Sequence, residues 1–258
     1  MKITALTENT SNREELGSEH GLSLFIETSE TALLFDMGQS SLFAENARKL
    51  GIDLREAEMA VLSHGHYDHG GGLRTFLKLN DRAPVYLSRY AFDETFNAEG
   101  KYIGLDPALK SEPHLVFTGE KKALSPSMQL FSCNDRERTY PLDSAGLTVL
   151  REGRHIPDDF RHEQFLLIEE HGTRVLISGC SHKGIRDLLL WFRPDVLVGG
   201  FHLMKKAPGE ELEPYIQALG SCGAELFTCH CTGEAQFRCL QERMENLHYL
   251  STGESIVL

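Results

Sequence analysis

Three histidines and one aspartate lie within residues 64–69 of this chain; they are His64, His66, Asp68 and His69. Imidazole nitrogens and carboxylate oxygens are the ligands that zinc and iron prefer, at about 2.0 to 2.2 Å. In an extended loop, His64 and His66 can project to the same side, while Asp68 and His69 follow one turn later and can face a neighbouring ion. The spacing therefore predicts a loop that binds one or two divalent metals. The alternative is a polar surface loop that happens to be rich in histidine.

The segments on either side of this loop favour the metal-binding interpretation. The apolar residues 59–62 precede it and are typical of a buried strand, and three glycines follow at 70–72. Residues 72–77 have the pattern of a helix start. Strand, ligand loop and helix in this order are expected of a metal site in an α/β protein.

The pattern His-x-His-x-Asp-His after a short apolar strand resembles the signature of the metallo-β-lactamase superfamily. Three further segments are similar to strand ends of that family: Asp-x-Gly at 36–38, Gly-Cys in place of Gly-Asp at 179–180, and the final histidine strand at 227–230. The resemblance covers nearly the whole chain. It implies an α/β (α+β) fold, a four-layered αβ/βα sandwich with the metal site on its upper edge.

Four short motifs resemble one branch of the superfamily more narrowly; they occupy residues 19–23, 179–184, 199–202 and 230–233. This branch contains metal-dependent hydrolases related to the dihydropterin-ribofuranosylaminobenzene 5'-phosphate synthases. The branch resemblance implies displacement at a pterin methylene that carries pyrophosphate, with the metals neutralising the leaving group.

Length and charge limit the class of protein. A chain of 258 residues with 41% hydrophobic residues can bury a substantial core, and we expect one domain over residues 1–258. The net charge of -12 argues against a nucleic-acid partner, because phosphate backbones are bound by basic faces. We therefore expect a small-molecule substrate.

The amino terminus, residues 1–10, lacks the apolar stretch of a signal peptide, and no segment has the roughly 18 apolar residues of a membrane span. The sequence thus predicts a cytoplasmic protein without a membrane partner. In that compartment the six cysteines are expected to be thiols rather than disulfides. A cysteine in an unusual position is then a candidate ligand.

Short apolar runs alternate with amphipathic segments, which predicts two β-rich halves backed by helices. Residues 23–27 and 31–35 are predicted to form a hairpin, residues 41–50 a helix, and 165–168 with 174–177 a strand pair. Residues from about 88 to 157 are the least regular and are interpreted as an insertion. Their aromatic residues either pack beneath a long loop, or form a lid or an interface in a homo-oligomer; they are Tyr90, Phe92, Phe96 and Tyr102.

Cys180 occupies the place where the superfamily has a carboxylate that bridges two ions. A thiolate is a softer donor, so it favours zinc or iron over magnesium or calcium. The alternative is a small buried core residue, since free cysteine is often buried. His230 follows a predicted strand and matches the last ligand of the family, whereas His182 could reach the same cluster across a turn.

Many superfamily members have a further ligand before the strand at 165, where this chain offers His155 and His162, neither in the usual His-x-x-Gly setting. If neither histidine binds metal, a substrate oxygen, a water molecule or His182 must complete the coordination of the first ion. His202 ends the apolar run 196–198 and is expected to contact substrate rather than metal. His20 is either a substrate-facing histidine or a solvated surface residue.

Asp36 is predicted to orient a ligating histidine by accepting its free N–H, or alternatively to cap the helix that begins near residue 40. Lys183 and Arg186, beside a probable helix start, either contact an anionic group or are solvated helix charges. Asp68 is the expected group that orients an attacking water and takes up its proton.

Three functions remain open from the sequence. The first is a hydrolase or transferase that acts on a small anionic or phosphorylated molecule, with a metal-activated water as nucleophile. The second is an iron-dependent redox protein, and the third is a binding protein that holds metal without chemistry. Zinc is the expected ion, with iron and manganese as alternatives.

Overall fold

The computed structural model describes residues 1–258, which form seventeen strands and six α-helices. The strands are β1 (Lys2–Thr7), β2 (Ser23–Glu27), β3 (Ala32–Phe35), β4 (Met59–Val61), β5 (Val85–Ser88), β6 (Thr95–Phe96), β7 (Leu115–Thr118), β8 (Lys121–Ala123), β9 (Met128–Phe131), β10 (Thr148–Arg151), β11 (Arg154–Pro157), β12 (Phe165–Glu170), β13 (Thr173–Ser178), β14 (Val196–Gly199), β15 (Glu225–Thr228), β16 (Leu247–Tyr249) and β17 (Ser255–Val257). The helices are α1 (Leu42–Lys49), α2 (Tyr67–Gly70), α3 (Leu73–Leu79), α4 (Ile185–Phe192), α5 (Glu213–Gly220) and α6 (Glu234–Gln241). None of the helices is long and apolar enough to span a membrane.

Two seven-stranded sheets form the framework, in the orders β17-β1-β2-β3-β4-β5-β7 and β16-β15-β14-β13-β12-β9-β8. Each sheet is antiparallel in one part and parallel in the other: β3, β4, β5 and β7 run parallel in the first sheet, and β13 to β16 do so in the second. This arrangement places the carboxyl ends of the parallel strands of each sheet along one edge.

Helices cover the outer face of each sheet, and the inner faces pack against each other. Strand β12 illustrates the layering, because Leu166 and Ile168 lie in the core between the sheets while Phe165 and Leu167 pack against α4. In the first sheet, α1 and α3 cover the outer face. Strands buried on both faces explain the continuous apolar runs of the sequence. The predicted four-layered αβ/βα sandwich is confirmed.

The local predictions agree with these elements. The hairpin pairs β2 with β3 antiparallel, with Leu24 opposite Phe35, and the strand pair of the second half is β12 with β13. The predicted helix at 41–50 is α1.

Residues 88–157 differ from the predicted irregular insertion. Strand β7 extends the first sheet, and β8 and β9 extend the second, with Met128 and Leu130 buried in the core between the sheets. Only β6, β10 and β11 form a separate three-stranded sheet. Short edge strands among glycines and prolines carry a weak periodic signal, which explains the difference.

The aromatic residues of this region pack among themselves and against neighbours. The Phe96 ring lies 5.6 Å from that of Tyr102, the Phe92 ring 6.2 Å from that of Phe117, and Tyr90 lies beneath the guanidinium of Arg161. All four rings thus make packing contacts, and a role for this region as a lid or an interface stays a prediction.

Candidate metal centre

The site lies at the carboxyl ends of the parallel strands, where open α/β sheets commonly bind ligands. Strands of the first sheet deliver Asp36 after β3 and His64 after β4. Strands of the second sheet deliver Cys180 after β13, His202 after β14 and His230 after β15. Three of these residues, Asp36, His202 and His230, have positive φ angles of 58°, 52° and 49°. Such strained backbone is often found at functional sites.

The first set of candidate metal ligands, called the first ligand set below, consists of His64, His66 and His182, whose potential ligand atoms all lie within 4.8 Å of one another. The Nε2 atoms of His64 and His182 are 3.3 Å apart. Burial lowers the pKa of all three, that of His66 to about 3, so the imidazoles are neutral at pH 7. His66 Nε2 is buried without a hydrogen-bond partner, which leaves its lone pair free to bind a cation.

The second set consists of Asp68, His69 and His230. The Nε2 atoms of His69 and His230 are 3.1 Å apart, and Asp68 Oδ2 lies 3.4 Å from His230 Nε2 and 3.9 Å from His69 Nε2. Burial opposes a charge on His69, but the carboxylates of Asp36 and Asp68 raise its pKa to about 9. The surroundings of His69 therefore favour positive charge.

Cys180 lies between the two sets. Its Sγ is 3.2 Å from His69 Nε2, and it groups with both His64 and His69 within 4.8 Å. Two nitrogen ligands at about 2.0 to 2.1 Å in a tetrahedral arrangement are themselves about 3.3 Å apart, so these spacings fit neighbours on one ion. The donor set, mostly imidazole with one carboxylate and one thiol, fits divalent zinc or iron.

Asp36 orients the loop that follows β4. Its Oδ2 accepts hydrogen bonds from His69 Nδ1 and Ser63 Oγ, each at 2.7 Å, and its Oδ1 accepts one from the Ser63 N–H at 2.7 Å. The Ser63 hydroxyl oxygen in turn accepts from His64 Nδ1 at 2.8 Å. With their Nδ1 atoms protonated, both imidazoles present Nε2 to the ligand space. Asp36 does not cap α1, which follows Ser41.

Two residues at the end of β1 position His230 and were missed by the sequence analysis. Asn9 Oδ1 accepts a hydrogen bond from His230 Nδ1 at 2.8 Å, and the Glu8 carboxylate accepts the His230 N–H at 3.2 Å. Glu8 and Asn9 carry no local motif, and the only available signal is that they directly follow a strand.

His162 is buried beside the first set, but both its ring nitrogens are engaged. Its Nδ1 accepts the Gly65 N–H at 3.1 Å, and its Nε2 donates to Asp158 Oδ2 at 3.2 Å. His162 therefore supports the loop, and His182 is the third histidine of the first candidate set. His155 lies on β11, exposed and against the Phe96 ring, away from the cluster.

His20 and His202 lie at the rim of the cluster. His20 Nε2 is 3.3 Å from Asp68 Oδ2, with 43% of its side chain exposed. The ring centroid of His202 lies 4.2 Å from that of His182, and neither of its ring nitrogens has a hydrogen-bond partner. The exposed His20 can therefore meet a bound molecule. The ring nitrogens of His202 are buried, and His202 also groups with Cys180 and His182 within 4.8 Å.

A cleft of about 300 Å³ opens beside His182 and His202. Its charged lining contains four cationic side chains and two carboxylates: Arg138, Arg186, Lys205, Lys206, Asp143 and Asp187. Asp143 pairs with Lys206 at 3.1 Å and Asp187 with Arg138 at 3.2 Å. Arg186 has no carboxylate partner, and its guanidinium lies 3.8 Å from the Tyr140 ring centroid and 5.0 Å from that of Tyr215.

The position of Lys183 differs from both expectations. Its side chain is buried, and its Nζ donates to the carbonyl oxygens of Phe160 and Glu163. The Glu163 carboxylate accepts the backbone N–H groups of His182 and Lys183, each at 2.8 Å. The Lys183 ammonium is thus hydrogen-bonded to buried carbonyl oxygens. It is neither a solvated helix charge nor a contact for an anion in the cleft.

A family model for the metallo-beta-lactamase superfamily matches residues 16–203. The chain belongs to the metallo-β-lactamase superfamily. A solved structure described as Tm1679, a metal-dependent hydrolase of the β-lactamase superfamily, is 32% identical, with a TM-score of 0.83, over 100% of this chain and 99% of that one.

A curated relative within the superfamily is 29% identical over 286 aligned residues, covering 99% of this chain and 96% of that protein. It is named 7,8-dihydropterin-6-methyl-4-(beta-D-ribofuranosyl)-aminobenzene-5'-phosphate synthase, from Methanocaldococcus jannaschii. Zn²⁺-bound PqqB from Methylobacterium extorquens has the same fold, with a TM-score of 0.62 at 13% identity over 100% of both chains.

The superfamily fold therefore brings most of the predicted residues together. His64, His66, Asp68, His69 and Cys180 converge with His182 and His230, while His20 and His202 line the rim. Of the four cationic side chains of the cleft, the sequence analysis identified Arg186 only; Arg138, Lys205 and Lys206 were missed because they come from other loops.

Proposed function

We propose that the protein is a metal-dependent hydrolase that acts on a small anionic organic molecule. The observation that carries this proposal is the pair of ligand sets, His64, His66 and His182 beside Asp68, His69 and His230, with Cys180 between them. Membership of the metallo-β-lactamase superfamily supports metal binding, and two sets of ligands support two ions.

Divalent ions bound there would activate water at neutral pH and stabilise developing negative charge on a substrate oxygen. In this proposal Asp68, which the His20 and His230 side chains hold from two sides, orients the attacking water and accepts its proton. His202 lines the cleft with both ring nitrogens buried and without hydrogen-bond partners, and in this proposal it protonates the leaving group.

The cleft supports an anionic substrate. Its lining carries more positive than negative side chains, although the whole chain has a net charge of -12. Arg186 and Lys205 are the two cations of the cleft that no carboxylate neutralises, and the flanking tyrosines fix the plane of Arg186. A phosphorylated molecule that reaches from this cleft to the metal centre fits these charges.

A transferase is the second candidate, supported by the relative that is 29% identical over 99% of this chain and is named a synthase. In that case the same cluster would neutralise a pyrophosphate leaving group, and an aromatic amine would replace water as the nucleophile. The two reactions share the ligands and differ in what enters the cleft.

Metal analysis of the purified protein, followed by assays on a phosphomonoester, a phosphodiester and a neutral ester of one alcohol, tests the proposal. We expect metal-dependent turnover of the anionic esters. His66→Ala should lose bound metal and turnover together, whereas His155→Ala, changed at an exposed position, should retain both. Turnover that persists in His66→Ala without metal contradicts the proposal. With a pyrophosphate ester as an additional substrate, pyrophosphate release that requires an added amine supports the transferase instead.

A further inference from the structure

We propose that Cys231 is a second thiolate ligand of the metal centre, so that Cys180 and Cys231 together give one ion a sulfur-rich coordination. This inference rests on the metal binding in the proposed function. It assigns a role to a cysteine that the ligand sets described above leave out.

The packing of the six cysteines separates these two from the rest. Cys133 and Cys229 are members of the hydrophobic core clusters, and Cys222 and Cys239 pack against one of them. Cys180 and Cys231 are each 2% exposed yet belong to no apolar cluster. Their burial is therefore not explained by apolar packing, which is the usual reason for a buried thiol.

The chain turns after β15, so that the side chains of the consecutive residues His230 and Cys231 face the same space at the metal centre. Along a strand, neighbouring side chains point to opposite faces, and accordingly Cys229 lies in the core. At His230 the backbone adopts a φ of 49°, and the ligand atoms of His230, Cys231 and Cys180 then lie within 4.8 Å of one another.

The Cys231 sulfur has one backbone donor and one backbone acceptor beside it. It accepts the backbone N–H of His202 at 3.3 Å, a contact that also suits a thiolate, and as a thiol it donates to the Cys180 carbonyl oxygen at 3.5 Å. A Cβ at residue 200 would lie only 2.4 Å from this sulfur, so Gly200 leaves the space that Sγ occupies. The imidazoles of His69 and His230 border the same volume, so nitrogen and sulfur donors face one another there.

Two thiolates change which metal the centre prefers. Soft sulfur donors select zinc, iron(II) or cobalt(II), whereas manganese and magnesium prefer oxygen donors. The inference therefore predicts that manganese, one of the alternatives from the sequence, binds far more weakly than zinc.

Cobalt(II) loading of the full-length protein tests the assignment, because thiolate ligands give cobalt an intense near-ultraviolet charge-transfer absorption. We expect Cys231→Ser to bind cobalt with part of this absorption lost, Cys180→Ser to lose another part, and the double variant to lose all of it. Cys239→Ser, changed at a cysteine packed beside the core on α6, is the control and should match the unsubstituted protein.

Cobalt binding with undiminished charge-transfer absorption in Cys231→Ser overturns the inference and leaves the hydrolase proposal intact. If Cys231→Ser does not fold, NMR of the cadmium-loaded unsubstituted protein decides, since the cadmium shift reports the number of sulfur ligands. A signal in the two-sulfur range supports the assignment, and signals confined to the range of one sulfur or none refute it. Failure of the unsubstituted protein to bind any metal would instead refute the proposed function.

Discussion

The Asp36 carboxylate accepts the His69 Nδ1–H at 2.7 Å while it also accepts the N–H and hydroxyl of Ser63. One buried carboxylate at the end of β3 thereby fixes both ends of the ligand loop that follows β4. Because Ser63 passes this restraint to His64, Asp36 orients one residue of each ligand set. A single side chain that binds no metal itself thus controls the geometry of both.

Asp36→Asn should weaken metal binding about 10- to 100-fold, because the amide cannot accept all three hydrogen bonds or supply the negative charge. Chelator competition measures the affinity. Asp53→Asn, which alters an exposed carboxylate paired with Arg55, is the matched control. Equal affinities in the two variants would show that Asp36 has no orienting role.

Arg186→Ala should raise the KM for an anionic ester about tenfold and leave kcat nearly unchanged, because Arg186 contributes binding rather than chemistry. A neutral ester should be unaffected. Arg238→Ala is the control, because the Arg238 side chain is 75% exposed and lies outside the cleft. Steady-state kinetics on both esters gives the answer, and equal changes for the two esters would rule out a charge-specific contact.

Gly65→Ala should disrupt the ligand loop, since a Cβ at this position would lie 2.1 Å from the Ala91 carbonyl oxygen. We expect a loss of about 1 to 3 kcal/mol in the free energy of unfolding, measured by urea denaturation, together with weaker metal binding. Gly220→Ala is the control, because a Cβ there meets nothing within 4 Å. A Gly65→Ala protein as stable as Gly220→Ala would mean that the loop can shift without cost.

Asp159→Asn should reduce stability at pH 7 by about 1 kcal/mol, a modest value because 41% of the Asp159 side chain is exposed. Burial opposes ionisation, but hydrogen bonds from Arg151 and Arg161 hold the pKa of Asp159 well below its usual range. A depressed folded pKa contributes stability above the unfolded pKa of about 3.9 that is lost as the pH falls through the folded pKa.

The stability difference between Asp159→Asn and the unsubstituted protein should therefore shrink as the pH falls below about 3.9. Urea denaturation at several pH values measures it, with the exposed Asp135→Asn as control. A difference that is independent of pH would show that charge is not the cause.

The parts of the site encoded by local sequence were predictable. The ligand loop lies between an apolar strand and a glycine-rich helix start, and His230 directly follows a strand. For both features, the position relative to a strand was enough to predict a candidate metal ligand. The choice among His155, His162 and His182 was not predictable. It depends on Gly65 and Asp158, which occupy both nitrogens of His162 only after folding.

The contrast between local sequence and tertiary contacts also explains the other predictions that the structure corrects. Lys183 next to a helix start suggested an exposed cation, but Phe160 and Glu163 from a distant segment bury its ammonium. Strands β7 to β9 carry little periodicity of their own and are defined by the sheets they extend. In each case a tertiary contact outweighed the local pattern.

The two ligand sets draw on both sheets: the loop after β4 belongs to the first, and Cys180, His182 and His230 belong to the second. A cation held there would join the sandwich across its open edge, so occupancy and resistance to unfolding are thermodynamically linked. Metal supply in the cell would then influence how long the folded protein persists as well as how fast it works.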